Sequence, residues 1–377
     1  MDNMTRRVYL GLVGCALLLA ALAMTASAVS ADAPIVMEND WSPTDTEDQT
    51  QSVAWGDIDG DGDLDLAVGS RAHFYPGHFA IQIYRNEDGR LDDEPEQAFG
   101  EIDVLSLAWG DLDGDGDLDL VVGVATPEDG EGGQNHAYRN VGGALEMQPF
   151  WTSPRTDTTR SVALGDVDGD GRLDLVEGNC GTPNRIYRND GLNQDDRLRF
   201  APLWTDAISD TTTSVALGDV DGDGRLDLVV GNSDATGYCA GSGIAAMPNK
   251  LYLGNGTTIE TTPAWESDEI DYTRSVALGD VDGDGDLDLA VGNALGVGAP
   301  DVGENRVYLN LSGAFETTAS WTTDVAQDTA SVAWGDADGD GDLDLATGEA
   351  GMANQLYLNL GASLQITPTL HTDVDLN

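Results

Sequence analysis

The chain has 377 residues, with 68 acidic residues against 17 basic ones, a formal net charge of -51, and a single lysine, Lys250. A phosphate backbone needs a basic face, so this composition excludes nucleic acid as a partner. Six divalent ions would offset only 12 of these charges; the rest reads as a solvated acidic surface or as a high-salt setting.

The first element is an export segment over residues 1–31. Arg6 and Arg7 form its basic start, Val8 to Ala23 its apolar stretch, and Ala26-Ser27-Ala28 or Val29-Ser30-Ala31 its small-residue cleavage site. The apolar run is about 16 residues, shorter than the roughly 20 that span a bilayer, so removal is expected rather than anchoring. Thr5-Arg6-Arg7-Val8-Tyr9-Leu10 loosely matches a twin-arginine signal, and no later stretch is apolar enough to cross a membrane.

From residue 32 onward one unit repeats. Each copy opens with a short apolar run, such as Ser52-Val53-Ala54-Trp55-Gly56 or Ser161-Val162-Ala163-Leu164-Gly165. An Asp-rich loop follows, then a second run ending in glycine (Leu66-Ala67-Val68-Gly69), a variable stretch, and a tyrosine segment such as Ile83-Tyr84-Arg85-Asn86 or Val307-Tyr308-Leu309-Asn310. A fourth run often closes on tryptophan: Trp151, Trp204, Trp265, Trp321. The runs are four to six residues long, β-branched or aromatic, and bounded by Gly, Asn or Asp, which is a strand pattern with no helical period. Four antiparallel strands per repeat of about 55 residues describe a β-propeller blade.

The loops span 57–65, 111–119, 166–174, 219–227, 280–288 and 336–344. Hard oxygens at alternate positions of a tight turn are the chemistry of Ca²⁺. Positions one, three, five and nine are expected to give side-chain oxygens: Asp57, Asp59, Asp61 and Asp65; Asp111, Asp113, Asp115 and Asp119; Asp166, Asp168, Asp170 and Asp174; Asp219, Asp221, Asp223 and Asp227; Asp280, Asp282, Asp284 and Asp288; Asp336, Asp338, Asp340 and Asp344. Position seven is Asp63, Asp117, Asp286 and Asp342 in four copies but Arg172 and Arg225 in two, so it is expected to offer its backbone carbonyl. Gly60 and Gly62 supply the positive φ the turn needs. Six near-identical sites spread around a ring read as structural pins. An EF-hand or dockerin would put a Glu at position twelve and a helix after it; here those residues are Val68, Val122, Glu177, Val230, Val291 and Thr347, within β-runs.

Phrases such as Ser214-Val215-Ala216-Leu217-Gly218-Asp219-Val220-Asp221-Gly222-Asp223-Gly224 resemble the FG-GAP repeats of integrin α-subunits and the bacterial VCBS-type repeat proteins, over essentially residues 35–370. The resemblance implies an all-β propeller with up to six Ca²⁺ in the loops between strands one and two of each blade, in an extracellular setting. Integrin propellers have seven blades, whereas six loops are present here. Trp41 lies 16 residues before Asp57, so residues 35–41 look like the fourth strand of a preceding blade, and Leu364 to Leu370 look like the same strand after loop six. We therefore expect six four-stranded blades. The alternatives are a seven-bladed ring with one blade missing or degenerate, and an N-terminal strand that latches onto the last blade.

Variation concentrates in the connections between strands two and three, on the rim opposite the loops. Ser70 to Ala80 carries His73, Phe74, Tyr75, His78 and Phe79, and Asn232 to Asn249 is the longest. These aromatics read either as a binding surface or as local packing. Cys180 and Cys239 occupy this connection in adjacent repeats and read either as a disulfide or as two free thiols. His73, His78 and His136 are the residues that a transition-metal site would use. No nucleophile motif or phosphate-binding glycine loop occurs. The expected function is a secreted binding or adhesion module for a protein or glycan, with no membrane span after signal removal. The other readings are a secreted polysaccharide-active hydrolase or lyase on a propeller, and a structural module of a larger surface protein.

Overall fold

A computed structural model describes residues 49–71, 78–87, 89–125, 133–233, 247–295, 303–361, 364 and 370–371. The export segment, residues 35–41, His73 and Cys239 lie outside the described residues.

Six four-stranded antiparallel sheets follow one another along the chain, each ordered first strand to fourth. Blade 1 uses Thr50–Gly56, Asp65–Ser70, Ile81–Tyr84 and Gln97–Phe99; blade 2 uses Val104–Gly110, Asp119–Val124, His136–Tyr138 and Trp151–Thr152. Blade 3 uses Thr159–Gly165, Asp174–Asn179, Arg185–Leu192 and Leu198–Thr205; blade 4 uses Thr212–Gly218, Asp227–Asn232, Lys250–Tyr252 and Trp265–Glu266. Blade 5 uses Thr273–Gly279, Asp288–Asn293, Arg306–Tyr308 and Trp321–Thr322; blade 6 uses Thr329–Gly335, Asp344–Glu349, Gln355–Tyr357 and Leu370–His371. The fold is a six-bladed β-propeller. Its sixth sheet takes its fourth strand from Leu370–His371, paired with Leu356 and Gln355, so an N-terminal strand does not fill that place.

Every first strand has the same irregularity. Register shifts between Thr50 and Ser52, Val104 and Ser106, Thr159 and Ser161, Thr212 and Ser214, Thr273 and Ser275, and Thr329 and Ser331. A bulge leaves one residue unpaired and turns the next side chain. The bulge residues, among them Gln51, Arg160, Thr213 and Arg274, line a central cavity of about 460 Å³. In blades 1 to 5 the serine after the bulge is turned toward the following blade. Ser52, Ser106, Ser161, Ser214 and Ser275 Oγ accept the backbone N–H of Leu107, Val162, Val215, Val276 and Val332 at 3.1 to 3.2 Å.

The apolar core is a series of layers between blades. One layer joins Val176, Ile186 and Trp204 of blade 3 to Val215, Leu228 and Tyr252 of blade 4. An outer-strand aromatic meets the next blade's tyrosine edge-on at five junctions: Phe99 on Tyr138, Trp151 on Tyr187, Trp204 on Tyr252, Trp265 on Tyr308 and Trp321 on Tyr357, with centroids 5.2 to 6.0 Å apart. The runs are apolar on both faces because each sheet is covered on both sides.

Candidate metal centres

Each Asp loop closes the hairpin between a blade's first and second strands. Its two glycines take positive φ, 77° at Gly60 and 98° at Gly62 in the first copy. That geometry turns the loop's own amides onto its carboxylates. Asp57 Oδ1 accepts Gly60 N at 2.8 Å and Asp57 Oδ2 accepts Gly62 N at 3.1 Å; Asp59 Oδ1 accepts Asp61 N, and Asp61 Oδ1 accepts Asp63 N. The pattern recurs, as in Asp280 with Gly283 and Gly285. Side-chain oxygens of Asp57, Asp59 and Asp61 lie within 4.8 Å of one another, as do those of Asp111, Asp113 and Asp115. In blades 3, 4 and 5 the clusters are Asp166, Asp168 and Asp174; Asp219, Asp221 and Asp227; and Asp280, Asp282 and Asp288. An all-oxygen, preoriented carboxylate set fits Ca²⁺. Bound there, the ion would supply the positive charge that offsets repulsion among the carboxylates.

Position nine has a second task that its place in the loop does not reveal. Asp65, Asp119, Asp174, Asp227, Asp288 and Asp344 are all buried. In every copy Oδ2 accepts the N–H of loop position two: Ile58, Leu112, Val167, Val220, Val281 and Ala337. Oδ1 accepts the N–H of the residue two after the strand-three tyrosine: Asn86, Asn140, Asn189, Gly254, Asn310 and Asn359. One carboxylate therefore ties the loop to the third strand. Burial pushes the Asp119 carboxyl up to about 7 and those of Asp174 and Asp288 up to about 6, although their N–H donors pull the other way.

Two position-seven side chains bond outside their loops' clusters. Asp117 Oδ2 accepts Gly142 N at 3.1 Å, and Arg172 Nε donates to Asn189 O at 2.7 Å. Arg225 pairs with Asp223 at 2.8 Å.

The asparagines after the strand-three tyrosine carry the loops across junctions. Asn140, Asn189, Asn310 and Asn359 Nδ2 donate to Ile58, Leu112, Val220 and Val281 O in the preceding blade's loop, at 2.7 to 2.8 Å. Blade 4 has Gly254 instead, so loop three receives no such bond. The sequence signal was an Asn two residues after tyrosine in five of six copies.

The opposite rim is held by buried ion pairs that sequence reasoning missed. Lys250 is completely buried and donates to Asp210, which is equally buried. Arg185 pairs with Asp157 and Arg306 with Asp271 at equivalent, part-buried positions, joining the start of strand three to the residues that enter strand one. His136 Nδ1 lies 3.1 Å from Thr152 Oγ1. Cys180 is disulfide-bonded, while Cys239, its expected partner, lies outside the described residues. Among the described residues no helix is long and apolar enough to cross a membrane.

The match to family models agrees with this architecture. A model of the FG-GAP-like repeat matches residues 74–122, 124–177, 176–230, 238–291 and 295–347, and a model of the FG-GAP repeat matches 50–92. Cartilage acidic protein 1 of Xenopus tropicalis is 26% identical over 183 residues, which cover 46% of this chain and 27% of that protein. Among solved structures, BBS1N in its complex with ARL6DN aligns with a TM-score of 0.49 at 14% identity, over 85% of this chain and 84% of that one. The V. cholerae biofilm matrix protein Bap1 aligns with a TM-score of 0.43 at 18% identity, over 73% and 40%. Matched along nearly all of its repeats, the chain belongs to the FG-GAP repeat family.

Proposed function

We propose that this protein works outside the cytoplasm as a calcium-stiffened propeller that binds an extracellular protein or glycan. In this reading loop positions one, three, five and nine bind Ca²⁺ through side chains and position seven through its carbonyl. The observation that carries it is the wiring of the loops. Each position-nine Asp pins its own blade, and asparagines from blades 2, 3, 5 and 6 grip the loop of the blade before. Metal sites built into the scaffold in this way stiffen it, which leaves ligand recognition to the rim where the repeats differ. The acidic export-led chain, the family membership and a relative named for cartilage support an extracellular place for it.

Two measurements test the reading. Elemental analysis of the purified protein should find calcium, and a chelator should lower its melting temperature by well over 10 °C, since each site at a hundredfold excess of ligand over Kd contributes about 2.7 kcal/mol. An unchanged melting temperature with no bound metal would refute the calcium reading. A screen of glycans and matrix proteins, run beside turnover assays on the same polysaccharides, should give binding without product. Sustained turnover would replace the binding module with a hydrolase or lyase.

A further inference from the structure

The six loops are nearly identical in sequence, yet they do not face the same charge. The residue after the strand-three tyrosine differs between the two halves of the ring. It is Arg85, Arg139 and Arg188 in blades 1 to 3, but Leu253, Leu309 and Leu358 in blades 4 to 6. Arg139 Nε lies 2.8 Å from Asp113 Oδ2, a position-three carboxylate. Arg85 Nη1 lies 3.3 Å from Asp59 Oδ2 and 2.9 Å from Asp65 Oδ2, reaching positions three and nine together. Arg188 comes to 4.0 Å from Asp168 Oδ2.

The first two arginines are held in place. Arg139 sits over the Phe150 ring, 5.2 Å from its centroid, with its side chain 17% exposed. Arg85 also pairs with Glu96 and donates to Gly143 O of the next blade, and its side chain is 10% exposed. Arg188 is looser, at 42% exposed, but its loop carries a second guanidinium, Arg172, paired with Asp170. In the other half of the ring only loop four has an arginine, the half-exposed Arg225 beside Asp223. Loops five and six hold five aspartates each and no arginine.

We propose that the loops form two classes of calcium site, a weak set in blades 1 and 2 and a tight set in blades 5 and 6, set by the residue that follows the strand-three tyrosine. The inference rests on reading the loops as calcium sites. A fixed guanidinium shares the negative charge that the ion needs and repels the ion itself. Calcium affinity is tuned by ligand charge count, and partial burial keeps the repulsion from being screened. A separation of at least about tenfold in calcium concentration is expected between loops one and two and loops five and six. The same arginine acts as a tethered cation when calcium is low. Blades 1 and 2 therefore keep more of their loop order under chelation than blades 5 and 6.

Hydrogen exchange read by mass spectrometry on the intact chain, across a titration with calcium chloride alone, resolves the loops individually. Loops 280–288 and 336–344 should gain protection at the lower concentration, and loops 57–65 and 111–119 at the higher. Arg139→Leu should move loop 111–119 toward the tight set, and Leu309→Arg should move loop 280–288 toward the weak one. If all six loops gain protection together, or neither exchange moves its loop, the two-class inference is overturned and the calcium reading survives. If no loop responds and elemental analysis finds no calcium, the calcium reading falls and takes this inference with it.

Discussion

Where blade 3 meets blade 4, Val215 donates its N–H to Ser161 Oγ, and Trp204 stands edge-on against Tyr252. A Cβ added to Gly165 there would lie 2.7 Å from both Leu217 Cδ1 and Leu226 Cδ1. At the downstream face of blade 6 the same positions are unfilled among the described residues. Ser331 Oγ is buried without a hydrogen-bond partner, and a Cβ on Gly335 would meet nothing within 4 Å. On the upstream face of blade 1, Leu64 is 53% exposed, whereas its counterpart Leu118 packs beneath Gly56. Cohesion in this ring is therefore written repeat by repeat as contacts that each blade makes with its successor. Among the described residues these interlocking features go unused on the outer faces of blades 1 and 6, as expected for an array held by nearest neighbours.

Substitutions at closed and open ends should separate by size. Trp265→Ala removes a ring that packs on Tyr308 and Phe315 and donates to Glu316 O at 2.9 Å, and should cost about 3–5 kcal/mol in denaturant unfolding. A loss below about 1 kcal/mol would show that the outer seam is not part of what holds blades 4 and 5 together.

Glu177 tests a charged contact at a closed junction. It accepts Asn135 Nδ2 of blade 2 at 2.6 Å, and burial pushes its carboxyl from the usual 4.5 up to about 7. The folded state thus favours the protonated form. Its contribution is complete below about pH 4.5 and lost as pH rises through about 7, a change of about 3 kcal/mol at most. Glu177→Gln should flatten that part of the stability profile between pH 4.5 and 8 and raise stability at the alkaline end. An unchanged profile would place the pH dependence elsewhere.

Gly178→Ala puts a Cβ 2.7 Å from Val215 Cγ1 and 3.0 Å from Thr212 Cγ2, and should cost about 1–3 kcal/mol. Gly335→Ala, at the open face, should stay within about 0.5 kcal/mol. Equal costs would remove the distinction between the two kinds of face. The smallest contrast is in the serines. Ser161→Ala should cost about 1 kcal/mol, while Ser331→Ala should be neutral or slightly stabilising because it removes an unsatisfied buried hydroxyl.

Much of this molecule is legible in its sequence. The Asp loops, the tyrosine strands and the closing tryptophans lie where their spacing put them, because each repeats a local pattern that needs only a turn and its two strands. The arginines were harder to read. Arg85, Arg139 and Arg188 follow their tyrosines within a strand, and nothing local says that they reach back about 20 residues to an Asp loop. The bulge before each bridging serine was equally hidden, since a one-residue slip in register leaves no mark in composition.

Lys250 marks the boundary between the two kinds of information. As the only lysine of a strongly acidic chain it belongs by default in water, yet it is completely buried against Asp210. The amino-acid sequence alone determined the repeat, the turn chemistry, the oxygen-rich loops and the sheet class, because these depend on residues within one hairpin of each other. Tertiary structure decided which carboxylate each cation faces, which loop an asparagine grips, and where the succession of blades leaves its contacts unfilled. Those outcomes depend on close packing between repeats about 55 residues apart, where position in space rather than order in the chain selects the partner.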